Sequence, residues 1–252
     1  MAIIKCPQCG KEVSSRTEKC PYCNKVLIEV EKHESVSVET ITQTAKENSI
    51  NIIVSSVLVL LVFLIGNIIT KLMVSTFLGS NGAEAIAYAN KIGLSKIMIF
   101  TLIGVVFYCV LPLLFKQKPD IGFASGIIIT ILLCLICFAV QSGEIEKGLI
   151  EIGRPDLIAY SMSYAKFNGL FVVMLQGALA ILSYGNKTKK FFVTAIILLV
   201  AYMIVYAVLG FIFVAVLQFG VFGFSLVQLI GGIAVFVIAI IKSNELKKML
   251  HK

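Results

Sequence analysis

Residues 191–241 have the sequence FFVTAIILLVAYMIVYAVLGFIFVAVLQFGVFGFSLVQLIGGIAVFVIAII, in which no side chain is charged. A membrane-spanning helix needs about 20 apolar residues, so this run is too long for one span and long enough for two. Gly220 and Gly223, with Gln218, interrupt it near the middle, and glycine is typical of the turns that end helices. The run therefore predicts two spans, at about 191–217 and 221–241, joined by a tight turn.

Four more apolar runs, each long enough for one span, occur earlier in the chain. Hydrophobic residues make up 58% of the 252 positions and charged residues 14%, whereas soluble domains carry about 25% charged residues. The composition excludes an ordinary soluble protein and predicts a membrane all-α fold, a six-helix transmembrane bundle surrounded by membrane lipid. The predicted spans are about 50–70, 95–115, 121–141, 167–184, 191–217 and 221–241.

The first 28 residues are of a different kind, because they contain two copies of a cysteine-bearing turn, CPQCGK and CPYCNK. The four cysteines have the spacing C-x2-C-x10-C-x2-C: Cys6, Cys9, Cys20 and Cys23. Two such turns can close a tetrahedron of thiolates around one Zn²⁺. Gly10 and Asn24, which follow the turns, tolerate the left-handed backbone that aims N–H groups at the sulfurs.

Zinc also explains how so short a segment could fold. Roughly 25 residues cannot bury enough apolar surface to be stable, whereas a structural zinc site supplies roughly 10–16 kcal/mol. Two disulfides or a redox-active C-x-x-C are the alternatives. A cytosolic location and two matched turns favour one shared metal ion instead. Because four cysteines complete the coordination shell, His33 is expected to be a solvated linker residue.

The turns CPQCGK and KCPYCNK resemble the short zinc-ribbon heads of many prokaryotic membrane proteins, whose turns have the form CPxCG. The resemblance covers about residues 4–28, and Asn24 stands where glycine is more usual. It implies a small β-rich zinc ribbon with one structural Zn²⁺ on a prokaryotic multi-pass protein. Such ribbons bind nucleic acid, contact proteins or cap a domain. Residues 1–49 carry seven basic and seven acidic side chains, and this balance argues against nucleic acid.

The charged residues also predict domain organisation and orientation. We divide the chain into a zinc ribbon (1–28), a polar linker (29–49), a transmembrane domain (50–242) and a basic tail (243–252). If the N-terminus is cytoplasmic, the inner loops and the tail carry nine basic and two acidic residues, and the outer loops six and five. Since basic residues accumulate in cytoplasmic loops, we expect a cell-membrane protein with both termini in the cytoplasm.

The predicted spans offer little chemistry. None carries an ionisable residue at its centre, and no catalytic motif is present, so we expect no enzyme. Gln176 and Gln228 lie within spans and are candidates for hydrogen bonds between helices. Cys134 and Cys137 form a third C-x-x-C, but in hydrocarbon we expect them to pack as small apolar residues.

Two short matching stretches suggest an internal duplication. Residues 84–88 are EAIAY, and residues 156–160 are DLIAY, 72 positions further along. We predict that spans three and four repeat spans one and two in parallel orientation, with Tyr88 and Tyr160 at equivalent interfacial positions. Two unrelated interfacial helices would leave the same pattern.

The sequence therefore favours a non-enzymatic membrane protein with an adaptor, assembly or regulatory role. Its cytoplasmic ribbon would bind a protein partner or a second copy of the chain. The alternative is a transporter or channel-like protein for an uncharged or lipidic substrate, with the ribbon as an accessory domain. A membrane enzyme comes third. Its candidate residues form a loop cluster that we expect to be a solvated face: Glu144, Glu146, Glu151, Arg154 and Asp156.

Overall fold

A computed structural model gives the arrangement of the chain as two compact units, Met1–Thr42 and Gln43–Lys252. The residues that the structure describes are 3–6, 8–14, 19–24, 38–77, 79–114 and 118–250. His33 and the first part of the predicted linker, residues 29–37, lie outside the described residues.

The first unit contains a two-stranded antiparallel sheet. Strand β1 is Ile3–Lys5 and strand β2 is Glu12–Ser14, with Ile4 opposite Val13. The buried hydrophobic cluster of the described residues here consists of Cys6, Val13 and Cys20. A core of this size cannot stabilise a fold by burial alone.

Helices account for nearly all of the rest of the described chain. Their bounds are α1 Val38–Phe77, α2 Gly79–Leu114, α3 Pro119–Glu151, α4 Ile158–Ser183, α5 Thr188–Phe211, α6 Gly220–Lys242 and α7 Asn244–Leu250. A 3₁₀ turn, Pro155–Leu157, precedes α4, and a π-helical turn, Ile212–Val216, follows α5.

Five stretches of these helices are long and apolar enough to cross a membrane: Ala45–Phe77, Pro119–Cys137, Ser161–Ser183, Thr188–Val216 and Phe222–Lys242. They make the chain a membrane protein with several spans. The predicted second span corresponds to Met98–Leu114, an apolar helix that is shorter than the other five. The count of six spans therefore stays a prediction.

The helices extend well beyond the apolar runs. Helix α1 begins at Val38, inside the segment predicted as a linker, and α2 covers most of the first predicted outer loop. Helix α3 continues to Glu151, into the second predicted outer loop. Hydropathy marks where a helix can meet lipid, but polar residues with good helix propensity continue the helix into water. Much of the chain that was predicted to form long outer loops is therefore helical.

Helix α4 lies at the centre of the second unit. Its apolar stretch Ser161–Ser183 is 78% buried, whereas the other four stretches are 22–39% buried. It packs against α2, α3 and α6. Its mean hydropathy is 1.6, against 2.3–2.9 for the others. A helix surrounded by protein needs fewer lipid-compatible side chains, so the least apolar span takes the central position.

Small residues allow α4 to approach its neighbours closely. A Cβ placed on Gly177 would overlap the side chain of Thr130 on α3. Thr130 is buried and held by the carbonyl of Gly126 and by the hydroxyl of Tyr108, at 2.7 and 2.6 Å. The α3–α4 contact therefore depends on glycine at position 177.

The turn between α5 and α6 lies where the sequence places it. The π-helical turn ends at Val216, and the N–H of Phe219 donates to the carbonyl of Phe213 at 3.0 Å. Gln218 and Gly220 have φ values of 55° and 60°. This left-handed backbone reverses the chain, and it suits glycine far better than glutamine.

Candidate metal centre

The two cysteine turns of the first unit have the same backbone geometry. The N–H of Gly10 donates to the carbonyl of Cys6 at 2.8 Å, and the N–H of Asn24 donates to the carbonyl of Cys20 at 2.9 Å. Gly10 has φ 70° and Asn24 has φ 55°. The residue after each second cysteine therefore adopts the left-handed conformation, which glycine and asparagine tolerate best.

The turns bring four thiols together. All four sulfur atoms lie within 4.8 Å of one another. The Sγ atoms of Cys6 and Cys23 are 3.6 Å apart, and those of Cys9 and Cys20 are also 3.6 Å apart. Each short distance joins the two turns. The sulfurs of a tetrahedral zinc site lie about 3.8 Å apart, because Zn–S bonds are about 2.3 Å. Disulfide sulfurs are about 2.05 Å apart, and the four cysteines are free.

The surroundings of Cys6 favour the metal-binding form of its thiol. Backbone hydrogen bonding from Cys9 lowers the pKa of the Cys6 thiol to about 6, with a smaller contribution from Gln8 and with burial opposing it. The thiolate is the form that binds metal. Cys6 and Cys20 are buried, whereas Cys9 and Cys23 reach the surface. The donor set therefore fits a metal ion that is partly shielded from water.

An exposed aromatic side chain lies in the second cysteine turn. Tyr22 is 60% exposed, and the Nζ atom of Lys11 lies 4.4 Å from the centre of its ring. The cation–π contact holds the ring in one place on the surface of the first unit. Tyrosine at the surface is a common anchor in protein–protein contacts.

Gln176 of α4 connects three helices in the second unit. Its Nε2 donates to Oγ of Ser56 on α1 at 3.2 Å and to the carbonyl of Thr101 on α2 at 3.0 Å. The residue is 2% exposed. Gln176 is therefore a buried hydrogen-bonding bridge between helices.

Gln228 of α6 belongs to a larger buried set of polar side chains. Its Nε2 donates to Oδ1 of Asn168 on α4 at 3.1 Å. The Tyr206 hydroxyl bonds to Thr70 and lies near Gln228, and the Tyr164 hydroxyl donates to Oδ1 of Asn67 at 2.8 Å. We call this set the polar cluster: Asn67, Thr70, Tyr164, Asn168, Tyr206 and Gln228.

The polar cluster contains no carboxylate, histidine, lysine or arginine, and one of its acceptors is unsatisfied. Gln228 Oε1 is buried and has no hydrogen-bond partner among the described residues. Sequence reasoning found the two glutamines but missed Tyr164 and Tyr206. A tyrosine within an apolar run is read as apolar, although a buried hydroxyl needs a partner.

The charged cluster between α3 and α4 is organised around Arg154. Its guanidinium binds Glu84 of α2 and also Asp156, with both Asp156 bonds at 3.0 Å. Hydrogen bonding from Arg154 lowers the pKa of Asp156, and the two carboxylates raise the pKa of Arg154. The expectation of a purely solvated face is therefore incomplete, because the arginine ties this loop to α2.

The remaining predicted residues lie on helices. Tyr88 of α2 is half-buried against the main hydrophobic core, and Tyr160 lies on α4, with its side chain outside the described part. The acids that begin their matching stretches, Glu84 and Asp156, bind the same arginine. Cys137 is buried and Cys134 half-buried within α3.

Comparison of this chain with protein-family models, with curated proteins and with solved structures finds no match in any of the three.

Proposed function

We propose that this chain is a non-enzymatic integral membrane protein of the cell membrane whose N-terminal unit is a zinc ribbon that docks a protein partner or a second copy of the chain. One Zn²⁺ would be held by the four thiolates. The observation that supports this proposal most strongly is the set of four sulfurs within 4.8 Å of one another. In the described residues of this unit the hydrophobic cluster is small. Four protein ligands leave no open coordination position, so the ion would stabilise the fold rather than catalyse a reaction.

Charge supports a protein partner over nucleic acid. The ribbon and linker region carries equal numbers of basic and acidic residues, and four thiolates with one Zn²⁺ would make it more negative. A phosphate backbone is bound by clustered basic side chains. The exposed Tyr22 beside Lys11 is the residue that we expect at the centre of the contact. The proposal puts both termini in the cytoplasm of a prokaryotic cell, and the excess of basic residues in the predicted inner loops supports this orientation.

The test measures metal content and partners together on the full-length protein. We would compare wild type with the Cys6→Ser, Cys9→Ser variant by elemental analysis and by in-cell crosslinking with co-purification. The matched control is Cys134→Ser, Cys137→Ser, which changes a C-x-x-C of equal spacing within α3. Loss of zinc and of specific partners in the first variant alone supports the proposal. An unchanged set of partners after loss of zinc contradicts it.

Tyr22→Ala separates docking from folding. This variant leaves the four sulfurs in place, so it should retain one zinc ion per chain and still lose partner recovery. Equal recovery with Tyr22→Ala and wild type would place the contact elsewhere on the ribbon.

A second candidate, transport of an uncharged substrate, is favoured by the polar cluster. Its hydroxyl and amide groups lie inside the bundle without any charge, and Gln228 Oε1 is an unused acceptor. Such a set suits a neutral molecule with hydroxyl or amide groups better than an ion. Flux of neutral solutes into vesicles that contain the purified protein tests this function. Flux that is equal in wild type and in Gln228→Met would contradict a role for the cluster.

A further inference from the structure

A basic pocket lies at one end of the helical bundle, where the α4–α5 loop meets the α6–α7 junction. Its volume is about 170 Å³, and Lys190, Lys242 and Lys247 contribute to its lining. The three lysines come from three elements: the first turn of α5, the last turn of α6, and α7. Nothing in the sequence shows that positions so far apart converge on one pocket.

Among the described residues, none of the three ammonium groups forms an ion pair, and the ion pairs of Arg154 lie at a different loop. The acid Asp120 lies in the first turn of α3, which packs against α7, so it is at the same end of the bundle. Helix α7 also carries Glu245, whose side chain lies outside the described part. Like charges that share a pocket repel one another, and a bound anion would relieve that repulsion.

The rest of the pocket lining includes two apolar side chains and a hydrogen-bonded loop residue. Leu182 and Phe191 line it, and both are buried. The loop that forms one wall is held by Asn186, whose Nδ2 donates to the carbonyl of Leu182 at 2.8 Å and whose carbonyl accepts from Asn51 at 3.2 Å. A pocket that is already formed loses little conformational entropy when a ligand binds.

The pocket lies at the level expected for lipid headgroups. Lys242 is the last residue of the candidate span Phe222–Lys242, and Lys190 lies in the first turn of the span Thr188–Val216. The opening turns of α5 add the partial positive charge of a helix N-terminus. Basic pockets between transmembrane helices bind phosphate-bearing headgroups.

We propose that this pocket binds a phosphate group, presented by an anionic phospholipid whose acyl chains lie along the bundle. The three lysines bind the phosphate, and Leu182 and Phe191 contact the start of the lipid's apolar part. The site is independent of the ribbon and of the partner proposed for it.

The experiment uses the full-length protein in detergent micelles. Native mass spectrometry measures binding of phosphatidylglycerol and of phosphatidylcholine to wild type, to a pocket variant and to a control variant. The pocket variant is Lys190→Gln, Lys242→Gln, Lys247→Gln. The control is Lys118→Gln, Lys187→Gln, Lys189→Gln, which removes the same charge from exposed lysines outside the pocket lining.

We expect wild type to bind phosphatidylglycerol at least about tenfold more tightly than phosphatidylcholine. Each lysine near an anionic headgroup contributes roughly fivefold in affinity. The pocket variant should therefore bind phosphatidylglycerol at least about tenfold more weakly than wild type, with the control within about threefold. Equal losses in the two variants would show general surface attraction and overturn the proposal. So would the absence of any preference in wild type.

Two further arms identify the ligand source and guard against misfolding. If inorganic phosphate binds with the same lysine dependence while phosphatidylglycerol does not, the lipid assignment is overturned. The variant Lys190→Arg, Lys242→Arg, Lys247→Arg keeps the charge and should retain phosphatidylglycerol binding. Its failure to bind, in a protein that remains monodisperse, would overturn the proposal as well.

Discussion

Replacing each interior glutamine by methionine, which has a similar shape, should have unequal effects on stability. In Gln176→Met two hydrogen bonds are lost, to Ser56 and to the carbonyl of Thr101. Ser56 keeps its own bond to the carbonyl of Ile52 at 3.1 Å. The loss of stability therefore comes from the two hydrogen bonds of Gln176 alone. Hydrogen bonds between membrane helices contribute on average about 0.6 kcal/mol each, with a maximum near 1.7. We therefore expect a destabilisation of about 1–2 kcal/mol.

Gln228→Met should cost less. It removes the hydrogen bond to Asn168, leaves the Oδ1 atom of Asn168 without that donor, and removes the contact of Gln228 with the Tyr206 hydroxyl. It also removes Gln228 Oε1, which is already a buried acceptor without a partner. Because one unsatisfied acceptor replaces another, the two desolvation costs offset each other. We expect a change of about 0.5 kcal/mol or less.

The assay is reversible unfolding of the purified protein in mixed micelles by titration with a denaturing detergent, followed by circular dichroism. The difference between the variants is the measured quantity, since both exchange the same side chains. If Gln228→Met is as destabilising as Gln176→Met, the reasoning is wrong and Gln228 Oε1 has a partner in the folded protein.

Three other predictions concern the cysteine cluster, the α3–α4 contact and the ion pairs of Arg154. Cys20→Ser should lower the zinc content from one ion per chain to near zero by elemental analysis, while circular dichroism of the helices stays unchanged. Gly177→Ala should destabilise the bundle by about 1–3 kcal/mol in the same unfolding assay, since its Cβ meets a fixed side chain; Gly66→Ala, with open space around it, should be neutral or slightly stabilising. Asp156→Asn should lower the unfolding temperature slightly at neutral pH. Because Arg154 lowers the pKa of Asp156, this carboxylate stabilises the fold above its unfolded pKa of about 4, and the contribution is lost as the pH falls through the lowered folded value. The difference between wild type and Asp156→Asn should therefore vanish in acid, and a difference that grows in acid would contradict the ion pair.

The close approach of the four cysteines and the presence of several helices of membrane-spanning length could be predicted for a common reason. Cysteine spacing within a short turn and long apolar runs are local features, so each can be recognised without knowing the rest of the chain. The turn at Gln218 and Gly220 is local as well. The duplication and the role of the ribbon in docking remain predictions, because they concern relations that neither the fold nor the comparisons test.

The predictions of the loops were less accurate. Hydropathy alone ended the helices too early, since α1, α2 and α3 continue as polar helices beyond their apolar parts. The charged cluster was expected to be a solvated face, but Arg154 binds Glu84 of α2, which lies 70 residues away in the sequence. No local pattern predicts that contact.

The sequence by itself determined that the chain is a helical membrane protein with a four-cysteine head, because charge, apolar length and cysteine spacing act over a few residues. The tertiary structure alone decided which helix is central, which hydroxyls and amides meet in the polar cluster, and which three lysines share a pocket. Those outcomes depend on the close approach of residues from different helices, such as Asn168 with Gln228 and Lys190 with Lys242. Such contacts follow from how helices pack, and an apolar run has the same hydropathy whichever neighbour it faces.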